Sequence, residues 1–326
     1  MKKRHHYVPI LHLKHFAGQQ PAGQVWTYDA IEGTQRSSTP ENTAVEGHFY
    51  SFEREDGTLD ASIEDIYEKF ESAAAPAYEE LSKGRFPDDR GRSHFSEFLG
   101  TMFVRTPTWR RMAGELYSRH VQIMTYAYAV DDDAFDKLTA EVEASAGKTF
   151  SAEEKAAVRE LMIDPSKVKM TIAKHVTLNG FELADKLANI FHAMKWSIVE
   201  SAKGYFVSSD NPVVRTVDPA TQHPIYGDGG FMNKTARVTF PLSPKRMLLL
   251  SWDGPNNVLR SSRREQTLGF NIERAKQSER YLYAHINDKR ISALAHAFRH
   301  IRPGTETQGF GPKKFARTEI PRKWNS

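Results

Sequence analysis

The sequence predicts an α+β fold from three observations. Short alternating segments open the chain, a long block of helical period fills its middle, and strand-like runs with late helices close it. The apolar period switches from two to about 3.6 near Ala61 and back near Trp196. Prolines and glycines punctuate the last third between short apolar runs, as strand connections do. Segregated blocks of strand and helix, rather than regular alternation, belong to the α+β class. At 326 residues the chain can bury a sizeable core. The expected organisation is a single α+β domain over residues 1–300 and a basic, extended tail over 301–326.

The elements follow in order. Residues 5–16 begin extended, because Pro9 biases its predecessor away from helix. Gln24-Val25-Trp26-Thr27-Tyr28 alternates and predicts a strand. Phe49-Tyr50-Ser51-Phe52 predicts a second, ahead of an acidic turn at Glu55-Asp56-Gly57. Ile63, Ile66, Tyr67, Phe70 and Ala74 keep helical spacing up to Pro76. A longer helical stretch covers about 93–129, with Phe95, Phe98, Leu99, Met102 and Phe103 on one face. Arg105-Thr106-Pro107 interrupts it, so a break is expected there. Helices follow at about 132–146 and 151–162, the latter opened by a Ser151/Glu154 capping box, and at about 166–194. Trp196-Ser197-Ile198-Val199 and Tyr205-Phe206-Val207 predict a hairpin around Ala202-Lys203-Gly204. Arg237-Val238-Thr239-Phe240 and Met247-Leu248-Leu249-Leu250 bracket a turn at Pro241-Leu242-Ser243-Pro244. A helix over about 264–278, a strand at Tyr281-Leu282-Tyr283-Ala284 and a helix over about 288–298 complete the pattern.

Composition narrows the function classes. Apolar residues make up 39% and charged residues 26%, ordinary values for a soluble globular chain. No apolar run reaches the roughly 18 residues of a membrane helix, so no membrane partner is expected. The first residues are basic without an apolar core, unlike a secretory signal. The chain has no cysteine, which removes disulfides, thiol nucleophiles and cysteine-ligated metals. A cytoplasmic location is the expectation. The net charge of +4 is unevenly spread. Lys2, Lys3, Arg4 and Lys14 open the chain, and Lys313, Lys314, Arg317, Arg322 and Lys323 crowd its end. Basic ends on a near-neutral body attract phosphates, or stand as solvated tails. Walker-type, dinucleotide-binding, zincin and esterase-elbow signatures are all missing.

His5-His6-Tyr7-Val8-Pro9, followed by Leu13 and Phe16, resembles the opening of a large bacterial family, domain-of-unknown-function family 4238. The resemblance continues through Arg105-Thr106-Pro107, Ser209-Asp210-Asn211-Pro212-Val213, Pro241-Leu242-Ser243-Pro244, and Asn271 ahead of Arg280-Tyr281-Leu282-Tyr283. It covers about residues 4–285 and implies one contiguous domain and a bacterial source. It implies no activity. His12 and His15 stand where the family pattern has other residue types, which argues against their being ligands.

The candidate chemistry gathers on these motifs. Neighbouring side chains of an extended segment face opposite ways, so one of His5 and His6 enters a given site, and His6 is favoured as general acid/base. Asp210, after an apolar strand, is a candidate metal ligand or orienter for Mg²⁺ or Mn²⁺; if it converges with His6 the two form an acid–imidazole pair. Arg105 beside the helix break is a candidate phosphate clamp, or pairs with a buried acid such as Asp210. Asn211 is a candidate positioning donor. His5, Tyr7, Thr106, Arg110, Ser209 and Asn271 are assigned to substrate contact. For each the plain alternative is structural: Asp and Asn before proline bond local backbone, and a histidine bonds a carbonyl. Two functions follow. One is a hydrolase acting on phosphodiesters, a nuclease, with nucleic acid as partner. The other is a non-catalytic nucleic-acid- or protein-binding module of a bacterial defence or mobile-element system.

Overall fold

The structure, a computed structural model, describes residues 4–19, 21–47, 52–53, 59–60, 62–164, 180–223 and 227–301. Most of the expected strand at Phe49–Phe52, the turn at Glu55-Asp56-Gly57, residues 166–179 of the expected helix, and the basic residues of both ends except Arg4 and Lys14 lie outside them.

The chain opens with β1 (Arg4–His6), extended ahead of Pro9, and a single helical turn, α1 (Ile10–Lys14). Then come β2 (Val25–Asp29), β3 (Gln35–Ser38), β4 (Val45–Gly47), β5 (Phe52–Glu53) and β6 (Leu59–Asp60). The helical block holds α2 (Ser62–Ser82), α3 (Asp89–Val104), α4 (Pro107–Val130), α5 (Asp132–Ala146), α6 (Ala152–Ile163) and α7 (Gly180–Ala193). The last third holds β7 (Lys195–Ser201), β8 (Ser208–Ser209), β9 (Val214–Thr216), β10 (Arg237–Pro241), β11 (Arg246–Ser251), β12 (Val258–Ser262), α8 (Arg264–Gln277), β13 (Tyr281–Ala284) and α9 (Lys289–Ala297). The α+β prediction therefore holds.

Local chemistry sets the helix ends. Pro107 starts α4 at a position that needs no donor, and Thr106, pushed extended, accepts a bond from the Trp109 amide at 3.2 Å. That is the expected break. The Ser151/Glu154 capping box closes in both directions, at 3.1 and 2.9 Å. Pro76 does not end α2, contrary to expectation. The helix runs on to Ser82 because Ala74, Ala77, Tyr78 and Leu81 are buried on both sides of the proline. Burial of that face outweighs one lost backbone bond.

Two sheets organise the rest. The five-stranded sheet has order β12-β7-β11-β10-β9, antiparallel except that β12 runs parallel to β7. The four-stranded sheet, β3-β2-β13-β8, is antiparallel. The β10–β11 hairpin turns at Pro241-Leu242-Ser243-Pro244 as predicted. The expected 196–207 hairpin does not form. After Gly204, at φ +93°, the Phe206 amide bonds the Pro244 carbonyl and the chain crosses to the other sheet as β8. One face of the five-stranded sheet packs α2, α3 and α7 through Phe95, Phe98, Phe191, Trp196, Phe240 and Leu248. Gly100 lets α3 approach α7, since a Cβ there would sit 2.3 Å from the Ala184 carbonyl oxygen. Phe206, Met247 and Phe270 pack as a smaller cluster in which α8 takes part. The four-stranded sheet packs against α9 through Tyr28, Leu282, Ile291 and Leu294. Among the described residues no helix is long and apolar enough to cross a membrane.

Candidate functional site

The N-terminal motif lies on β1, paired with β4 so that His5 faces Glu46 and His6 faces Val45. His5 and Tyr7 are buried and His6 is half-buried. The His6 imidazole Nε2 donates to the Glu41 carbonyl at 3.1 Å. Burial holds its pKa below the usual histidine value, and the Glu41 bond works against that. Tyr7 points the other way and its hydroxyl meets that of Tyr283 at 3.3 Å.

Arg105 reaches this segment from the C-terminal end of α3. Its guanidinium donates to Glu71 Oε1 at 2.7 Å and to the His6 carbonyl, and stacks over the Tyr67 ring at 4.5 Å. The acid partner is thus Glu71, not Asp210. Glu64 lies one helical repeat earlier on α2. Burial raises its pKa, the charge of Arg105 opposes that, and Glu71 adds to it. Glu64 Oε2 is buried and finds no hydrogen-bond partner among the described residues. Residues 64, 67 and 71 share one helical stripe, so this cluster carried a sequence signal that the motif reading passed over. Thr106 serves as the α4 cap, and Arg110 pairs with Glu46 at 3.4 Å.

Asp210 belongs to a second cluster. It follows β8 and accepts three main-chain bonds: Glu279 N–H at 2.8 Å on Oδ1, and Arg280 N–H at 2.7 Å and Tyr281 N–H at 2.8 Å on Oδ2. Its own amide donates to the Tyr281 carbonyl at 3.1 Å. Burial pushes the carboxyl up to about 7, against the pull of the three amides. Three of a carboxylate's roughly four acceptor positions are taken by the main chain, so the donor set here does not fit a hydrated Mg²⁺ or Mn²⁺. The expected acid–imidazole pair with His6 does not form, because the two side chains are committed to different backbone groups.

The neighbours do similar work. Ser209 Oγ and the Asn211 backbone close a local turn. Asn211 Nδ2 donates to the Gln277 carbonyl at 2.9 Å. Asn271 accepts from the Val207 amide at 3.1 Å and donates to the Tyr205 carbonyl at 2.9 Å. Together they clamp the β8 turn to α8 and to the start of β13. The structure thus brings His6 and Arg105 together, and separately Asp210, Asn211 and Ser209; Asn271 clamps the same stretch from α8.

Two buried groups, Arg274 and His12, hold places in the core that the sequence reading did not assign them. Arg274 is buried and donates to the Pro212 carbonyl and to Thr239. Among the described residues it makes no ion pair, and burial pulls its pKa down to about 9. His12 is fully buried, with Nδ1 2.8 Å from the Tyr78 hydroxyl and Nε2 2.6 Å from Ser208 Oγ. Tyr78 donates onward to the Leu242 carbonyl at 3.0 Å. That order makes His12 Nδ1 the donor to Tyr78 and leaves Nε2 to accept from Ser208. A nucleophile, base and orienter have this geometry, yet Ser208, His12 and Tyr78 are all at 0% exposure. It links the N-terminal helix, the β8 turn and the β10–β11 turn. No spacing rule finds partners 196 positions apart.

An open depression at the β9–β10 edge, lined by Asp218, Lys234, Arg237 and Asp253 among others, contains none of the motif residues. Among the described residues no group of three or more His, Asp or Glu side chains is placed to hold a metal. No curated protein and no solved structure matches the chain. A family model does, over residues 4–288, and it takes in the stretch from the paired histidines to the Asp210 clamp: the chain belongs to DUF4238, a family of proteins of unknown function.

Proposed function

We propose that this chain is a non-catalytic module that works by docking protein through the helical arm α4–α6. One contrast carries the reading. The motif side chains end on main-chain groups inside the fold, whereas the apolar chemistry left uncovered gathers on the arm. Asp210, Asn211 and Asn271 spend their polar atoms on backbone N–H and C=O groups. Eleven of the sixteen exposed large apolar side chains among the described residues fall between Leu116 and Ile163. Exposed apolar side chains are ordinary singly, and gathered along one segment they support an interaction site there. A cytoplasmic setting goes with the cysteine-free composition.

One feature favours a second reading, hydrolysis of phosphodiesters: the half-exposed His6 beside the Arg105–Glu71 pair and the buried Glu64. A general base beside a guanidinium is a plausible arrangement for phosphoryl chemistry. Incubating the purified chain with labelled single- and double-stranded DNA and RNA, with Mg²⁺, Mn²⁺ or EDTA, separates the two. The docking module leaves every substrate intact. Cleavage that His6→Ala abolishes while the melting temperature holds would replace it with the hydrolase.

A further inference from the structure

α4 changes character along its length. Its root is held by the Thr106 cap, by Arg110 on Glu46, and by Arg111 on Glu279 at 3.0 Å. Beyond Leu116, only Ala129 of this helix is buried. In α5 the buried residues are Phe135 and Thr139, and in α6 there are none. A helix in water draws most of its stability from burying an apolar face, and this arm buries very little. Leu116, Ile123, Tyr126 and Val130 are 50%, 59%, 50% and 52% exposed. Their spacing of seven, three and four residues is the narrow seam of a helix that pairs with another helix, not the broad face that meets a core.

Resting on the docking reading above, we propose that the occupant of this seam is a second copy of this chain, with the two α4 helices antiparallel about a two-fold axis at Ile123. Three of the four seam residues reverse onto the seam about Ile123, and Tyr126 comes against His120. Leu116 and Val130 each lie seven residues from Ile123. A two-fold therefore sets Leu116 against Val130 of the second copy and Ile123 against its own counterpart, the self-complementary condition for a closed dimer. Charge selects the antiparallel sense. Towards its root α4 carries Arg110, Arg111 and Arg119 against Glu115, with Arg110 held by Glu46 and Arg111 by Glu115 and Glu279, and at its far end it runs into Asp131, Asp132, Asp133 and Asp136, of which Asp132 pairs with Arg159. Antiparallel pairing lays basic end over acidic end, and parallel pairing lays like on like. Between Leu116 and Val130 the charged or titratable side chains are Arg119, which lies in the seam seven residues before Tyr126, His120, and the tyrosines Tyr117, Tyr126 and Tyr128. No acid there opposes apolar contact.

The test is sedimentation of the full chain at micromolar concentration, with Ile123→Asp beside it. The expected wild-type mass is twice the 37.1 kDa of the chain, and the variant sediments as a monomer with its melting behaviour otherwise intact. Because the chain lacks cysteine, Ile123→Cys is a unique probe of the axis: it should oxidise to a disulfide-linked dimer, while Val142→Cys on α5 should not. Hydrogen exchange of α4–α6 then tells apart the two ways to fail. A monomer whose arm amides exchange far faster than those of α3 overturns the second copy as occupant and leaves the docking reading standing. A monomer whose arm is as protected as α3 overturns both.

Discussion

The turn around Asp210 and the distal half of α4 handle their chemistry in opposite ways. At the turn, polar side chains go inward and meet the main chain: a carboxylate takes three amides, and two asparagines bridge α8 to its neighbours. On the arm, large apolar side chains go outward and stay 40–59% exposed. Each arrangement is costly unless partnered, a buried polar group without hydrogen bonds or an apolar stripe without cover. The turn finds its partners within the chain. The comparison teaches that the polar groups of the Asp210 turn are spent on the fold's own main chain, and that the exposed apolar surface lies in a segment with no motif at all.

The largest expected effect therefore belongs to the turn. Asp210→Ala strips the acceptor from the amides of Glu279, Arg280 and Tyr281, in a site 1% exposed. Leaving a buried donor unsatisfied costs about 1–3 kcal/mol, so three together cost on the order of 3–6 kcal/mol. Thermal unfolding should show a loss of roughly four to nine degrees. A melting point within about two degrees of wild type would mean that the turn does not depend on this carboxylate.

A smaller effect comes from His12, which joins the same turn to the core through Ser208. Burial holds its pKa well below 6.5, with His15 and Arg274 adding to the shift. The unfolded chain takes up a proton near pH 6.5 and the folded chain does not. Stability from this group is therefore present above pH 6.5 and is lost as pH falls below it, by about 1.4 kcal/mol per unit. Asp210 works with the opposite sign. Its carboxyl, raised to about 7, binds a proton in the folded state across the range from 3.8 to 7. The readout is thus the difference between wild type and His12→Gln in urea melts at pH 7.5 and 5.5. The variant is less stable at both, and the gap narrows by about 1 kcal/mol at the lower pH. A gap that stays constant would show that His12 titrates alike in both states.

What was legible in the sequence was local. The break at Arg105-Thr106-Pro107, the Ser151/Glu154 box and the hairpin at Pro241-Leu242-Ser243-Pro244 each depend on residues within one turn of each other, and each appears where expected. The failures involve distant partners. β7 pairs in parallel with β12, some sixty residues on, and not with the segment after Gly204. Pro76 sits inside α2 because a core assembled from α3, α7 and the sheet holds the helix together around it. The site behaves alike: Arg105 chose Glu71 over Asp210, and His12 found Ser208 across 196 positions. The seven-residue seam on α4 was written in the sequence, but that it stays uncovered follows only from the packing of the remaining chain.

The smallest effect is the sharpest test of that contrast. Leu99 on α3 and Ile123 on α4 are aliphatic residues in helix interiors, at 0% and 59% exposure. Leu99→Ala removes side-chain atoms packed among Phe95, Phe98 and Phe240 in the main core and should cost about 2–5 kcal/mol. Ile123→Ala removes atoms that already face water, and replaces a β-branched residue with the best helix former, so the stability of the dilute monomer should shift by no more than about 0.5 kcal/mol. Urea melts over a dilution series then separate the two regions. The Leu99→Ala midpoint falls at every concentration. The Ile123→Ala midpoint matches wild type when dilute and falls behind it as concentration rises, because only there does wild type gain from covering the seam. A large loss from Ile123→Ala in the dilute limit would mean that α4 is packed within its own chain, and the division between a finished turn and an unfinished arm would fail.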